Sequence, residues 1–145
     1  MTYSIKDAAA QVGLSVYTMR FYDKAGLLPF VARGASGYRE FTDADINILK
    51  TIVCLKNTGM KIDDIRQYVD CIMRGTASIP ERKALLRKHR AEVVAQQEKI
   101  AANLKEVDYK LGIYESADAA AIVTAELAEA RREKVANELA DPFEA

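Results

Sequence analysis

The stretch SIKDAAAQVGLSVYTMRFYDKAG, Ser4 to Gly26, decides the fold. Ser4 stands before an apolar-periodic run with Asp7 three residues on, a capping-box-like helix start, and Gly13 ends that run. Ser15 then caps a second helix, beginning Val16-Tyr17-Thr18-Met19-Arg20-Phe21-Tyr22, that stops at Gly26. Two short helices joined by Gly13-Leu14-Ser15 carry the signature of a helix-turn-helix.

Outward from this pair the chain stays finely divided as far as Gly75. Leu28-Pro29-Phe30-Val31-Ala32-Arg33 and Tyr38-Arg39-Glu40-Phe41 flank the turn Gly34-Ala35-Ser36-Gly37, which reads as a hairpin. Thr42 caps a third helix to about Thr58, with Gly59 as its stop. A fourth runs from about Ile62 to Arg74, closed by Gly75. Six of the seven glycines lie at or before Gly75, so the second half is built differently.

Ser78-Ile79-Pro80-Glu81 opens one long helix, with Ser at the cap, Pro in the first turn and Glu at the third position. Leu86, Val93, Ile100, Val107 and Tyr114 follow at seven-residue spacing, and Leu104 and Leu111 fill the alternate position in the last heptads. From Ile79 to Ser116 the helix would be roughly 57 Å long at about 1.5 Å per residue. Its apolar seam needs a partner. That partner is either the tail folded back or a second copy, and a tail of about 28 residues is too short to cover the seam fully. A homodimeric coiled coil is favoured. The expected organisation is mainly α: a winged helix-turn-helix over residues 1–75, a dimerisation helix over 76–117, and an acidic Ala/Glu-rich helical tail over 118–145.

Composition bounds the chemistry. The 145 residues are 50% hydrophobic and 29% charged, a folding chain rather than a disordered one. Two cysteines make no disulfide framework, and no apolar segment approaches the roughly 20 residues a membrane span requires. The N-terminus reaches a helical pattern at once, so no signal peptide and a cytoplasmic setting are expected. With one histidine, no carboxylate pair in a recognisable setting and no phosphate loop, an enzyme is not expected, and no cofactor is implied.

The charge count, 21 basic against 21 acidic, speaks at first against nucleic acid. Its distribution reverses that. Residues 16–39 hold Arg20, Lys24, Arg33 and Arg39 against Asp23 alone, a local +3. The tail from residue 115 on holds eight acids against Arg131, Arg132 and Lys134, a local −5.

A recognition helix must offer polar or cationic groups to a major groove. The candidates are Ser15, Tyr17, Thr18, Arg20 and Tyr22. Arg20 is the best base reader, since a guanidinium bonds guanine bidentately; the alternative is that it pairs with Asp23 on a solvated face. Arg33 and Arg39 flank the hairpin turn with Tyr38 beside them, a basic wing suited to phosphates. Lys56 and Lys61 bracket Gly59 as a second phosphate clamp. An architectural or recombination factor, with no small signal read, is the competing reading of the same residues.

Tyr3-Ser4-Ile5, Val12-Gly13-Leu14-Ser15, Thr18-Met19-Arg20-Phe21-Tyr22-Asp23, Gly26-Leu27-Leu28-Pro29, Gly37-Tyr38-Arg39-Glu40-Phe41 and Thr58-Gly59-Met60 together resemble the MerR family of bacterial transcription regulators, without a gap over about residues 3–75. The resemblance implies that the long helix forms an antiparallel dimerisation coiled coil. It places Tyr17, Thr18 and Arg20 on recognition-helix contacts, Arg33, Tyr38 and Arg39 on wing contacts, and Lys56 on a second wing. It implies a palindromic operator in a promoter with an overlong spacer, which the activated dimer bends and untwists so that RNA polymerase engages both elements.

Nothing after His89 is Cys or His, so the metal-thiolate loop of the family's metal sensors is not expected, and His89 reads as a polar coiled-coil position. The tail cannot enclose a drug-sized pocket of ~300 Å³ or more. Cys54 remains. On a helical wheel it falls between Asn47, Lys50, Asn57 and Thr58, away from the apolar faces carrying Leu49, Val53, Ile52 and Leu55. It is either a semi-buried structural thiol or a reactive one favoured by Lys50 one turn away. Ile52-Val53-Cys54-Leu55-Lys56-Asn57-Thr58-Gly59, with Leu85-Leu86, His89 and Lys110, resembles the branch containing the NmlR- and AdhR-type regulators. That likeness implies a response to aldehydes, nitrosative or other thiol stress through Cys54. Cys71 departs from the branch pattern and reads as a filler beside Tyr68 or as a resolving thiol.

Overall fold

A computed structural model describes residues 1–144. Six helices and one small hairpin follow in order: α1 (Ile5–Gln11), α2 (Val16–Lys24), β1 (Ala32–Arg33), β2 (Arg39–Glu40), α3 (Asp43–Asn57), α4 (Ile62–Met73), a 3₁₀ turn (Gly75–Ser78), α5 (Ile79–Tyr114) and α6 (Ala119–Ala136). The fold is mainly helical, as expected.

The local signals act where the sequence puts them. Ser4 Oγ accepts from the Asp7 amide at 3.2 Å, and Ser15 Oγ from the Thr18 amide at 3.1 Å. Thr42 and Asp45 form a reciprocal capping box, with Thr42 Oγ1 accepting from the Asp45 amide at 3.2 Å and the Asp45 carboxylate from the Thr42 amide at 2.8 Å. Each cap satisfies helix-end donors that would otherwise lack a partner. Gly59 ends the α3 turn at φ +95°, a left-handed conformation in which a side chain is strained. Ser78 departs from expectation. It does not cap α5; its hydroxyl turns back to the carbonyls of Cys71 and Gly75.

The hairpin is short, with Ala32 opposite Glu40 and Arg33 opposite Arg39. Tyr3 adds one antiparallel bridge to Phe41, bonded both ways at 2.8 and 2.9 Å, so the chain start is tied to the hairpin's exit. At Gly34 a Cβ would fall 2.1 Å from the Glu40 carboxylate, which leaves this turn position to glycine while Glu40 stays in place.

Two compact units emerge. The first runs from Met1 to Ala95 and therefore includes the start of α5. Its core gathers Ala8, Met19, Leu27, Leu28, Val31, Phe41, Leu49, Ile52, Ile65 and Val69, each at most 1% exposed. The start of α5 is held to this core by polar joints. Arg82 donates to Ser78 Oγ at 2.9 Å and to the Gly75 carbonyl at 3.0 Å, and Arg74 bonds Glu81. His89, 8% exposed, sets its Nε2 2.7 Å from Thr58 Oγ1, while its buried Nδ1 meets no partner among the described residues. The second unit, from Gln96 on, contains no buried residue among those described. No helix among the described residues is long and apolar enough to cross a membrane.

Candidate nucleic-acid interface

Helix α2 is anchored on one side and bare on the other. Met19 and Tyr22, three apart, point into the core at 0% and 3% exposure. Residues at the complementary spacing, Tyr17, Arg20, Phe21 and Lys24, form the outer face, with Tyr17 84% exposed. Ser15 is exposed at the helix start and donates its hydroxyl to Thr18 Oγ1 at 2.9 Å. Tyr17 and Arg20 thus share the outer face of α2, while Ser15 and Thr18 meet at its start.

Tyr22 is a correction. Its ring lies among the core side chains, and burial pushes its hydroxyl above the usual phenol range. It supports the helix from beneath and is not available to a groove. Phe21 is the aromatic that faces outward, 50% exposed and one turn beyond Tyr17. The i, i+4 spacing of Tyr17 and Phe21 was the available signal for it, and the apolar character of Phe hid it.

The hairpin stands beside α2, and between them opens a cleft of about 620 Å³ lined by Arg20, Asp23, Arg33, Tyr38 and Arg39 with the chain start. Tyr38 is 76% exposed. The Arg33 guanidinium donates to the Gly37 carbonyl at 2.9 Å, fastening the turn, and remains largely in solvent. Arg39 is the second correction. It lies on the hairpin as expected, but its guanidinium turns inward, bonding the Val31 carbonyl and reaching Asp23 Oδ1 at 3.0 Å. Lys56 and Lys61 are both exposed on either side of Gly59, apart from this cleft's lining. Apart from the inward-turned Arg39, four cations (Arg20, Arg33, Lys56 and Lys61) and four hydroxyl or aromatic groups (Ser15, Tyr17, Thr18 and Tyr38) therefore remain exposed or half-buried from the original set. The arrangement offers donors and flat rings to a polyanion, with no nucleophile set against a base.

The two cysteines differ. Cys54 is exposed in the last turns of α3, and its carbonyl accepts from the Thr58 hydroxyl at 2.8 Å. Cys71 is buried beneath the α4–α5 joint, where burial above all, and next the Glu81 charge, pushes its thiol up; Arg74, donating to Sγ at 3.2 Å, opposes this. That environment disfavours the thiolate and supports the filler reading over a resolving role.

Comparison with known proteins agrees with this geometry. Residues 3–71 match the MerR HTH family regulatory protein profile, and residues 46–110 match the MerR DNA-binding profile. An HTH-type transcriptional regulator of Haemophilus influenzae is 42% identical over 125 residues, 86% of this chain and 93% of that protein. The regulator AdhR of Bacillus subtilis is 32% identical over 91 residues, 63% of this chain and 65% of its own length. Among solved structures, HiNmlR, a MerR family regulator lacking the sensor domain and bound to promoter DNA, is 43% identical with a TM-score of 0.74, covering 82% of this chain and 94% of that one. These relatives are regulators and not enzymes. The helix-turn-helix, the neighbouring hairpin and the long following helix belong to a MerR-family DNA-binding transcriptional regulator, and this chain is a member of that family.

Proposed function

We propose that the chain acts as a homodimer on a palindromic promoter operator, with α2 in the major groove and the hairpin as a wing on the phosphates. The observation that carries this reading is the single cleft where Arg20 of α2 meets Arg33 and Tyr38 of the hairpin. Arg20 is the base reader, Ser15, Tyr17 and Thr18 accompany it, and Lys56 and Lys61 meet the backbone further out. The exposed seam of α5, Ile100, Leu104, Val107, Leu111 and Tyr114, supports pairing with a second copy, joined at its start by Leu86 and Val93. The dimer activates by bending and untwisting an overlong spacer for RNA polymerase, a deformation costing several kcal/mol that the extra contacts offset.

Cys54 is the switch in this proposal, modified by aldehydes, electrophiles or nitrosative agents. Its exposure supports access. Thr58 supports transmission, because one hydroxyl touches both the Cys54 carbonyl and His89 of α5. Arg20→Ala is expected to remove roughly 1–3 kcal/mol of discrimination between operator and scrambled duplex; equal discrimination by mutant and wild type refutes the groove assignment. Cys54→Ser is expected to keep DNA binding and lose the response to an aldehyde in transcription in vitro. An unchanged response in that mutant removes Cys54 as the switch, and promoter output indifferent to thiol modification in the wild type favours an architectural factor.

A further inference from the structure

Asp23 lies at the wrong place for its charge. It sits near the end of α2, in the cleft proposed for DNA, where a carboxylate repels phosphates. Its partners explain its presence. Arg39 of β2 approaches it with two nitrogens, Nη2 to Oδ1 at 3.0 Å and Nε to Oδ2 at 3.5 Å, and Arg33 of β1 stands 3.9 Å from Oδ2. Arg39 and Asp23 are among the better shielded charges of the cleft, with side chains 20% and 23% exposed, whereas Arg33 is 55% exposed. Arg39 also bonds the Val31 carbonyl at the entry to β1, so one guanidinium ties α2 to both ends of the hairpin.

Buried Val31 and Phe41 and the Tyr3 bridge hold the root of the hairpin, but they do not set the direction of its arm. The hairpin has only two pairs of residues in register, and a ribbon that short is not stable alone. A forked guanidinium–carboxylate contact supplies the missing geometry, since it holds an orientation as well as a distance.

We infer that Asp23 is a positioning residue for DNA recognition: through Arg39 it locks the wing at a set distance from the recognition helix, and through Arg33 it presents the outer arginine to a phosphate. The assignment rests on the reading that α2 and the hairpin engage one duplex together. Arg39 stays on Asp23 when DNA binds, and Arg33, 3.9 Å from Asp23 through one terminal nitrogen and bonded to the Gly37 carbonyl through the other, turns its largely solvent-exposed guanidinium to the phosphate.

The lock and the bare charge make opposite predictions. If Asp23 acts only as a negative charge, Asp23→Asn raises affinity for every DNA. If it is a lock, the same substitution lowers affinity for a duplex selected by the wild-type protein from a random pool by about tenfold, and leaves a scrambled duplex unchanged or slightly tighter. Arg39→Gln should cost at least as much, because it also loses the Val31 carbonyl, and the double variant should be little worse than Arg39→Gln alone. Amide hydrogen exchange on the free protein supplies a reading independent of DNA: Asp23→Asn should speed exchange at Gly34 and Glu40 while the α3 and α4 amides keep wild-type rates.

Equal or tighter binding of the selected duplex by Asp23→Asn, or unchanged hairpin exchange, overturns the lock. Faster exchange throughout the first unit also overturns it, since the role would then be general stability. A wild-type protein that selects no duplex brings down the DNA-binding reading and this assignment with it, an outcome distinct from selection by the wild type that Asp23→Asn shares.

Discussion

The unit up to Ala95 and the unit after it obey different economies of burial. In the first, Phe41, Met19, Leu27 and Leu49 are sealed from water, and short helices are stapled to one another by caps and by tight turns. In the second, Ile100 is 66% exposed, Leu104 and Val107 53% each, and no described side chain reaches burial. A head with its own core carries within itself the apolar burial that favours folding. A pair of helices with none owes its stability to whatever covers its apolar side, because long helices in water gain mainly from packing of that face.

The contrast breaks first at the core. Phe41→Ala should destabilise the first unit by about 3–5 kcal/mol, through lost burial and the cavity left behind. Denaturant unfolding would measure it, and a loss below about 1 kcal/mol would mean that the head is not organised around this ring. In the second unit the expected quantity is association. Replacing Leu104 and Leu111 together by Asp should weaken self-association on the order of a hundredfold or more, about 3 kcal/mol from two lost apolar contacts. Sedimentation equilibrium reads this directly, and an unchanged dimer would move the interface off the α5 seam. The first unit's cooperative unfolding should survive that double change.

Smaller effects sharpen the picture at single joints. Thr42→Ala removes half of the α3 capping box and should cost about 1 kcal/mol in the head. The smallest concerns acid. The hydrogen bond from Arg74 holds the Glu81 carboxyl below its usual range, so its contribution is present above the ordinary carboxylate pKa and is lost as pH falls through the lowered one. Both partners are substantially exposed, which keeps the effect slight. Stability measured from neutral pH downward should fall slightly less steeply in Glu81→Gln than in the wild type.

Much of this molecule was legible from residue order. Ser4, Ser15 and Thr42 announce helix starts because the caps are local, within three residues of their partners. The heptads of α5 and the place of Cys54 on the polar side of α3 likewise follow from period alone, whereas its exposure, left open against a semi-buried thiol, comes from the structure. What escaped depends on contacts distant along the chain. Tyr22 and Tyr17 are the same residue type on one helix, and only the position of the core distinguishes a support from a contact. Arg39 reads as one more cation until Asp23, sixteen residues earlier, is seen to take it. Ser78 has every mark of a cap, yet Arg82 and the Cys71 carbonyl bind it from the other side. The head also extends into α5, since His89 closes on Thr58 across thirty-one positions that no periodicity links.

The pairing of Thr58 with His89 makes the molecule its own reporter. His89 is the chain's single histidine, and it sits at the joint between the end of α3 and the start of α5 with one ring nitrogen engaged and the other without a hydrogen-bond partner among the described residues. Nitrogen-15 imidazole spectra of the unmodified protein therefore contain one ring per chain and need no assignment. Tautomer, protonation and solvent access at that joint are read from two resonances, with thiol reagent or DNA added to the same tube.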